Sequence, residues 1–299
     1  MDTLLTKLQS LTRPEHQNRI IYTTTATTAL LALLAYSRHC YNEWHALGEG
    51  GVPRDLRGWL INVLAHVVAR RDHRGVPAPY EKINYNNTKQ TKSQKGDNST
   101  IIVLSSRDEG KYGPWSLKSF FSESFSLPTY KGPRPIVPTT VLPQRQTTQT
   151  ASPEILARQS AYLNAVVNAN PKLFAVRPSA LESPKFDALW LVPGKVDPGN
   201  VNWFPPQAQG ETVHVHPEGS THMCLSLVDA AEVVRRGWGE RHKMSGVAGV
   251  LPWGYVLVYA PREGADGKGD WEVWRELVIA AARVVARSAG FEGEVVVPE

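Results

Sequence analysis

Hydrophobic and polar residues follow three distinct patterns along the chain, and the first is a long uncharged run near the N-terminus. Residues Ile20 to Ser37 contain no charged side chain and lie between Arg19 and Arg38. A helix of 18 residues spans roughly 27 Å, close to the roughly 30 Å hydrocarbon core of a bilayer. The run therefore predicts a single-pass N-terminal membrane anchor, with a cleaved signal peptide and a buried soluble helix as alternatives.

The second pattern has helical spacing and runs from Asp55, a suitable N-cap, to Arg71. We expect its apolar stripe to pack on the core of the domain. The alternative, which is compatible with the first, is that its basic residues face an anionic membrane surface. The apolar positions are Leu56, Trp59, Leu60, Val63, Leu64, Val67 and Val68, and the basic ones are Arg57, Arg70, Arg71 and Arg74.

The third pattern, in the C-terminal half, combines short β-like runs with amphipathic helices. Capping residues and apolar faces predict helices from Ser152, from Asp229 to Gly237 and from about Asp270 to Ser288. Because the β-like runs do not alternate regularly with helices, the predicted fold class is α+β, with a mostly antiparallel sheet, flanking helices and the anchor helix before them. The runs typical of strands are 173–176, 186–192, 212–216, 223–228 and 255–259.

These patterns divide the chain into five predicted segments. They are an N-terminal tail (1–19), the anchor helix (20–37), an amphipathic helical segment that packs on the domain (38–82), a polar, proline-rich insertion or linker (83–151) and an α+β domain (152–299).

The net charge of +5 is unevenly distributed. Residues 1–150 carry 19 Lys/Arg against 11 Asp/Glu, whereas residues 151–299 carry 14 against 17. The basic excess surrounds the anchor and indicates membrane lipid as a partner, while the acidic C-terminal half argues against nucleic acid. Basic residues are balanced on the two sides of the uncharged run, so charge predicts no orientation or organelle. The two cysteines, Cys40 and Cys224, exclude a disulfide scaffold and a cysteine-based zinc module.

Four of the nine histidines lie between positions 214 and 242 and are the main candidates for chemistry. In a strand, His214 and His216 project from one face, and a turn over 217–221 returns His222 beside them. Three neutral imidazoles can bind zinc or iron, yet Ser220 stands where a cupin metal site carries glutamate. We therefore expect a metal-free catalytic cluster of these three residues and His242. The alternatives are a metal site of His214, His216 and His222, and a polar patch without chemistry.

The block Gly237–His242, with the sequence G-W-G-E-R-H, lies between an H-x-H motif at 214–216 and a Y-A-P-R motif at 259–262. Together these motifs resemble the luciferase domain of fungal luciferases and their relatives. The segments 41–48, 56–60 and 222–227 are similar as well. An N-terminal transmembrane segment belongs to the layout of that family.

The resemblance implies oxygenation of a hydroxylated α-pyrone, which is 3-hydroxyhispidin in the luminous fungi. Molecular oxygen adds to give an endoperoxide, which then loses carbon dioxide. The family is not known to need a metal or a flavin, so we expect no cofactor and molecular oxygen as co-substrate. Such chemistry needs a base for the enolic proton and donors for the developing oxyanion. Light emission needs a particular substrate as well, and we expect a non-luminous relative.

On the basis of this resemblance, we expect His214 or His216 to be the base and His222 and His242 to be hydrogen-bond donors. The expected substrate-binding residues are Arg241 or Arg262, which would pair with an enolate, and Trp238, Trp253 and Tyr259, which would wall a flat aromatic ligand. Ordinary core packing is the alternative for each aromatic residue. Two other functions stay open, a histidine-metal-dependent dioxygenase or hydrolase and a noncatalytic membrane module that binds a small molecule.

Overall fold

The computed structural model describes residues 14–75, 112, 115–194, 196–200, 205–247, 249–264, 267 and 269–299. The chain divides into two compact units, residues 1–48 and residues 49–299. Residues 76–111, which include positions 83–111 of the predicted polar insertion, lie outside the described part.

The first unit holds helix α1, Pro14–Ala46. Its 33 residues span about 50 Å, and the stretch Gln17–Ala46 is long and apolar enough to cross a membrane. The predicted uncharged run lies inside this stretch. A signal sequence near an N-terminus has the same properties, so the helix by itself does not fix a location.

The second unit begins with helix α2, Leu56–Ala65, whose N-cap is Asp55 as predicted. The Asp55 carboxylate accepts hydrogen bonds from the backbone N–H groups of Arg57 and Gly58. The helix is buried through Gly58, Asn62 and Ala65. Its aliphatic stripe is exposed, which is the opposite of our expectation.

A six-stranded antiparallel sheet forms the centre of the second unit, in the order β1-β2-β3-β4-β6-β5. All of its pairings are antiparallel and helices flank it, which confirms the predicted α+β class. The strands are β1 Phe174–Pro178, β2 Asp187–Leu191, β3 Glu211–Val215, β4 Thr221–Cys224, β5 Gly239–Arg241 and β6 Tyr255–Val258.

Within the described part of the chain, three helices flank this sheet: α3 Pro153–Ala169, α4 Leu227–Arg236 and α5 Asp270–Ser288. Ser152 caps α3, and α4 ends at Gly237, which adopts the left-handed conformation that glycine tolerates best. Helix α5 packs on β3 and β4, where the Trp274 indole N–H donates to the Thr221 hydroxyl at 2.9 Å. Because side chains alternate across a strand, His222 next to Thr221 projects from the face opposite α5.

Residues 115–150 fall within the predicted linker, yet many of their side chains are buried in the second unit. Phe120, Leu127, Tyr130 and Val141 belong to the hydrophobic core. The polar side chains of residues 144–146 are buried as well. This part of the chain is therefore integral to the compact unit and helps to cover the sheet.

Candidate active site

The hairpin of β3 and β4 brings three histidines together on one face of the sheet. His214 is the direct cross-strand partner of His222, and His216 follows immediately after β3. The ring centroids of His216 and His222 are 4.6 Å apart, and His214 lies 5.2 Å from each. His242, which follows β5, lies 5.0 Å from His222. We call these four side chains, each between 1% and 3% exposed, the histidine cluster.

Glu211 fixes the protonation of one side of the histidine cluster. Its carboxylate accepts from the backbone N–H groups of Ala180 and Leu181, and its Oε1 lies 2.7 Å from His214 Nδ1. A carboxylate only accepts, so His214 carries its proton on Nδ1 and has a lone pair on Nε2. His214 Nε2 lies 3.2 Å from His222 Nδ1, which must therefore be the donor. The lone pair of His222 is left on Nε2.

A second chain of hydrogen bonds fixes His216. The Ser220 hydroxyl donates to Glu218 Oε1 at 2.5 Å and lies 2.9 Å from His216 Nδ1. Because the only hydroxyl proton is directed to the carboxylate, Ser220 accepts from His216 Nδ1–H. His216 therefore also has its lone pair on Nε2.

Within the described part of the chain, the Nε2 atoms of His216 and His222 are buried and have no hydrogen-bond partner. Burial lowers the pKa of His216, against the opposing charge of Glu218. Burial and the three neighbouring imidazoles lower the pKa of His222 well below its usual value. Both rings are therefore neutral at pH 7 and present two basic nitrogens to one small region.

The rings of His242 and Tyr255 lie beside His222 on the same face. The His242 Nδ1 accepts the backbone N–H of Met244 at 3.0 Å, so the ring proton is on Nε2. Burial and the Lys243 charge lower the pKa of His242 to about 3. The Tyr255 ring lies 5.2 Å from that of His222, and burial with the charges of Glu211 and Glu182 raises the pKa of its phenol well above the usual value.

A buried ion pair between Arg145 and Glu182 borders the histidine cluster. Arg145 Nη2 lies 2.5 Å from Glu182 Oε1, and the two side chains are 5% and 6% exposed. The Glu182 carboxylate and the nitrogens of His214, His216 and His222 lie within 4.8 Å of one another. Glu182 also lines a 360 Å³ cavity formed by residues 49–54 and 182–184, so it connects the histidine cluster to this cavity.

The structure brings the four predicted histidines together, but the two predicted arginines have other partners. Arg241 is fully buried and pairs with Asp72 at 2.5 Å. Arg262 pairs with Asp270 at 2.8 Å and stacks over the Tyr130 ring, beside a separate 640 Å³ cavity. A role of either arginine in substrate binding stays a prediction.

Each of the three predicted aromatic residues contacts other side chains of the protein. Trp238 contacts Tyr130 edge to face, and Tyr130 contacts Tyr259 in the same way. The Tyr259 hydroxyl donates to Glu240 at 3.3 Å. Trp253 stacks under the guanidinium of Arg70 at 3.8 Å. Their assignment to a ligand wall likewise stays a prediction.

The residues that orient the histidine cluster were missed in the sequence. Glu218 and Ser220 lie between two of the histidines, and their proximity was the signal for this supporting role. Glu211 stands three positions before His214. Residues three apart in a strand point to opposite faces, so the sequence did not predict their contact. Arg145 was hidden because it lies in the stretch that its composition assigned to a linker.

Comparisons with known proteins agree with these motifs. Residues 209–281 match the family model described as "Luciferase domain", and this segment contains the entire histidine cluster. This segment is therefore similar to the luciferase domain. The chain is 25% identical to a luciferase of Armillaria mellea over 260 residues, which cover 82% of either chain.

Other luciferase relatives match over a shorter range. A luciferase of Armillaria gallica is 32% identical over 148 residues, covering 46% of this chain and 54% of the relative. A luciferase of Neonothopanus nambi is 29% identical over 156 residues, covering 48% and 56%. No solved structure matches the chain. The segment that matches the luciferase-domain model thus supplies the histidines, Glu211, Glu218 and Ser220, whereas Arg145 and Glu182 lie before it.

Proposed function

We propose that this luciferase-family chain is a membrane-anchored oxygenase of a small enolisable aromatic or α-pyrone substrate, similar to 3-hydroxyhispidin. The observation that carries the proposal is the pair of buried, unprotonated Nε2 atoms on His216 and His222. A neutral imidazole is suited to remove an enolic proton near neutral pH. Molecular oxygen is the co-substrate, and the substrate supplies both electrons.

His216 is the base in this proposal. Its Nδ1–H is supported by Ser220 and, through it, by the Glu218 carboxylate, which favours positive charge on the ring as a proton arrives. His222 faces three other imidazoles, which disfavour its protonated form. The structure thus favours one of the two bases expected from the sequence and leaves His214 as a link between Glu211 and His222.

In the first step, His216 Nε2 takes the enolic O–H proton, and the enolate electron pair forms a carbon–oxygen bond with molecular oxygen through an initial one-electron transfer. The product is a peroxide anion on the substrate, which needs no external reductant. The Nε2–H of His242 and the phenol of Tyr255 are the donors for the developing negative charge.

Oxygen consumption with a panel of hydroxypyrones tests this proposal. Replacing the general base in His216→Gln is expected to lower turnover about 10²–10⁴-fold. The matched control is His66→Gln, because the His66 side chain is exposed and, among the described residues, its ring nitrogens bond only the backbone oxygens of Asn62 and Thr139. Undiminished turnover in the His216 variant contradicts the proposal. Tight binding of a hydroxypyrone without any oxygen uptake would instead favour the noncatalytic binding module.

One observation favours a metal-dependent dioxygenase or hydrolase as a second candidate. Three histidines and Glu182 place four ligand atoms within 4.8 Å, a donor set that suits zinc or ferrous iron. Glu211 behind His214, and Ser220 with Glu218 behind His216, resemble the outer hydrogen-bond partners that orient metal-bound imidazoles. A stoichiometric metal in the purified protein, lost in the Glu182→Gln and His216→Gln variants, would support this candidate over a histidine base.

The membrane part of the proposal rests on helix α1. No residue in the most apolar 18-residue stretch of α1 is buried within the first unit, as expected for a segment surrounded by lipid. We infer a single-pass anchor with membrane lipid as partner. Retention of full-length protein in alkali-washed membranes supports this anchor, whereas a mature N-terminus beyond residue 37 would show that the helix is a cleaved signal.

A further inference from the structure

Helix α2 and the turn after it present an aliphatic surface to the outside of the second unit. Its members are Leu56 (59% exposed), Leu60 (48%), Ile61 (43%), Val63 (43%), Leu64 (68%), Val67 (82%) and Val68 (54%). We call this set the α2 aliphatic face. Seven exposed aliphatic side chains within 13 positions exceed the scattered exposure that a soluble surface normally carries, and such surfaces mark interaction sites.

Local contacts hold α2 in this orientation. The Asn62 amide oxygen accepts the backbone N–H groups of Val141 and Leu142, at 2.9 and 3.0 Å. A Cβ atom on Gly58 would lie 1.7 Å from the carbonyl oxygen of Pro53, so the chain approaches this helix too closely for any side chain there. Turning the leucines inward would break the Asn62 hydrogen bonds and bury two unpaired N–H groups. The outward aliphatic face is therefore a fixed feature of the fold.

Charge around the face is arranged for an anionic surface. Arg57 and Arg71 are exposed at its two ends. The neighbouring acids have partners within the protein, because Asp55 caps the helix and Asp72 bonds Arg241. An exposed aliphatic stripe rimmed by arginine is typical of a helix that lies in the plane of a lipid headgroup layer.

Chain connectivity is the second argument for lipid as the occupant. Helix α1 ends at Ala46 and α2 begins at Leu56, so nine residues separate them. Nine residues reach at most about 30 Å even when fully extended. A membrane-spanning α1 therefore keeps the start of α2 within that distance of the bilayer by covalent connection alone.

We propose that the α2 aliphatic face is inserted in the membrane interface and holds the luciferase-family unit against the lipid surface. The proposal rests on the membrane anchoring proposed for α1. A second copy of the chain is the competing occupant, and the experiment below distinguishes the two. A lipid-docked unit would take an apolar aromatic substrate from the bilayer rather than from water.

Spin-label accessibility in the full-length chain tests this proposal. The protein is reconstituted in vesicles of phosphatidylcholine and phosphatidylserine, in a Cys40→Ser background, because Cys224 is buried. Single cysteines are placed by Leu64→Cys on the α2 aliphatic face, Leu31→Cys in α1 and Glu154→Cys at an exposed position in the first turn of α3. The Leu64 label is expected to be accessible to oxygen and shielded from a water-soluble nickel chelate, as in lipid, and the Glu154 label to show the reverse.

The outcomes separate this inference from the anchor. A Leu64 label that is as nickel-accessible as the Glu154 label overturns the inference, whether or not the Leu31 label lies in lipid. A Leu64 label in lipid with a Leu31 label in water removes the anchor but supports docking by α2. Shielding of Leu64 without vesicles, rising with protein concentration, means that a second copy covers the face and overturns the inference. Leu64 is 68% exposed, so its substitution leaves the folded unit intact, which circular dichroism checks.

Discussion

The Glu211→Gln variant is expected to move a proton on two histidine rings while it leaves a third unchanged. Glu211 accepts from His214 Nδ1 and Ser179 at one oxygen, and from the N–H groups of Ala180 and Leu181 at the other. Glutamine has one acceptor oxygen and one NH₂ donor. Its NH₂ group must therefore face either the two backbone donors or the His214 side.

Energies decide between these two orientations. Facing the backbone leaves two buried N–H groups without an acceptor, at about 1–3 kcal/mol each. If the glutamine NH₂ group faces His214 instead, only one penalty of about 1–3 kcal/mol arises, provided that the imidazole transfers its proton from Nδ1 to Nε2. His214 Nε2–H then donates to His222 Nδ1, and the His222 proton moves to Nε2. We expect this second arrangement, with a loss of about 1–3 kcal/mol in the free energy of unfolding.

Long-range ¹⁵N–¹H spectra of the histidine side chains measure the outcome directly, because each tautomer has its own pattern of nitrogen shifts. His214 and His222 should change from Nδ1–H to Nε2–H, while His216 keeps Nδ1–H through its separate contact with Ser220. Turnover should fall less than tenfold if His216 is the base. Unchanged tautomers at His214 and His222, with a stability loss of about 2–6 kcal/mol, would refute the reasoning. Glu232→Gln on the surface of α4 is the matched control.

Three further predictions concern stability. Arg145→Ala leaves the Glu182 carboxylate buried without its ion pair and should lower the free energy of unfolding by about 3–5 kcal/mol. Glu182→Ala should cost less in the Arg145→Ala background than it costs in the wild-type chain. Strictly additive losses in denaturant unfolding would contradict this coupling. Burial keeps His216, His222 and His242 neutral in the folded chain, whereas they are protonated in the unfolded chain below about pH 6.5. Stability should therefore fall as pH drops below about 6.5, by about 1.4 kcal/mol per pH unit for each of these three histidines, and for His242 the fall should continue to about pH 3. A flat thermal midpoint between pH 7 and 4 would contradict this prediction. Gly246→Ala would place a Cβ 2.2 Å from Trp253 Cδ2 at φ +73° and should cost about 2–4 kcal/mol, whereas Gly249→Ala, at φ +72° with nothing within 4 Å, should cost only about 1 kcal/mol.

Elements with strong local signals could be predicted from the sequence. Ser152, Asp55 and Gly237 are capping residues whose side chains or backbone act within one turn, so their helix boundaries follow from neighbouring positions. Strand β5, Gly239–Arg241, was not predicted, because three residues with one glycine and two charges have no apolar alternation. It is held in place by pairing with β6, a contact that local sequence does not encode.

In the candidate site, too, residues with local sequence signals were predicted and residues brought in by the tertiary fold were not. The histidines were recognised because strand spacing and one tight turn decide their proximity. Glu182 and Arg145 reach them from segments 30 or more positions away, so only the tertiary fold reveals the ion pair. The predicted orientation of α2 was wrong for a related reason. Amphipathic spacing shows that an aliphatic stripe exists, but the hydrogen bonds of Asn62 decide which way the stripe faces.

The two candidate functions make opposite demands on the Nε2 atoms of His216 and His222. A histidine base needs the Nε2 lone pair of His216 free to take a proton, whereas a metal site needs that lone pair as a ligand. Because the base acts only when it is unoccupied, zinc that enters among Glu182 and the histidines should inhibit oxygen uptake, and a chelator should restore it. His216→Gln should bind zinc more weakly, and its residual turnover should respond less. Turnover that instead rises with a divalent metal and disappears with the chelator would reverse the order of the two candidates, since the lone pair would then act on the substrate only through the ion.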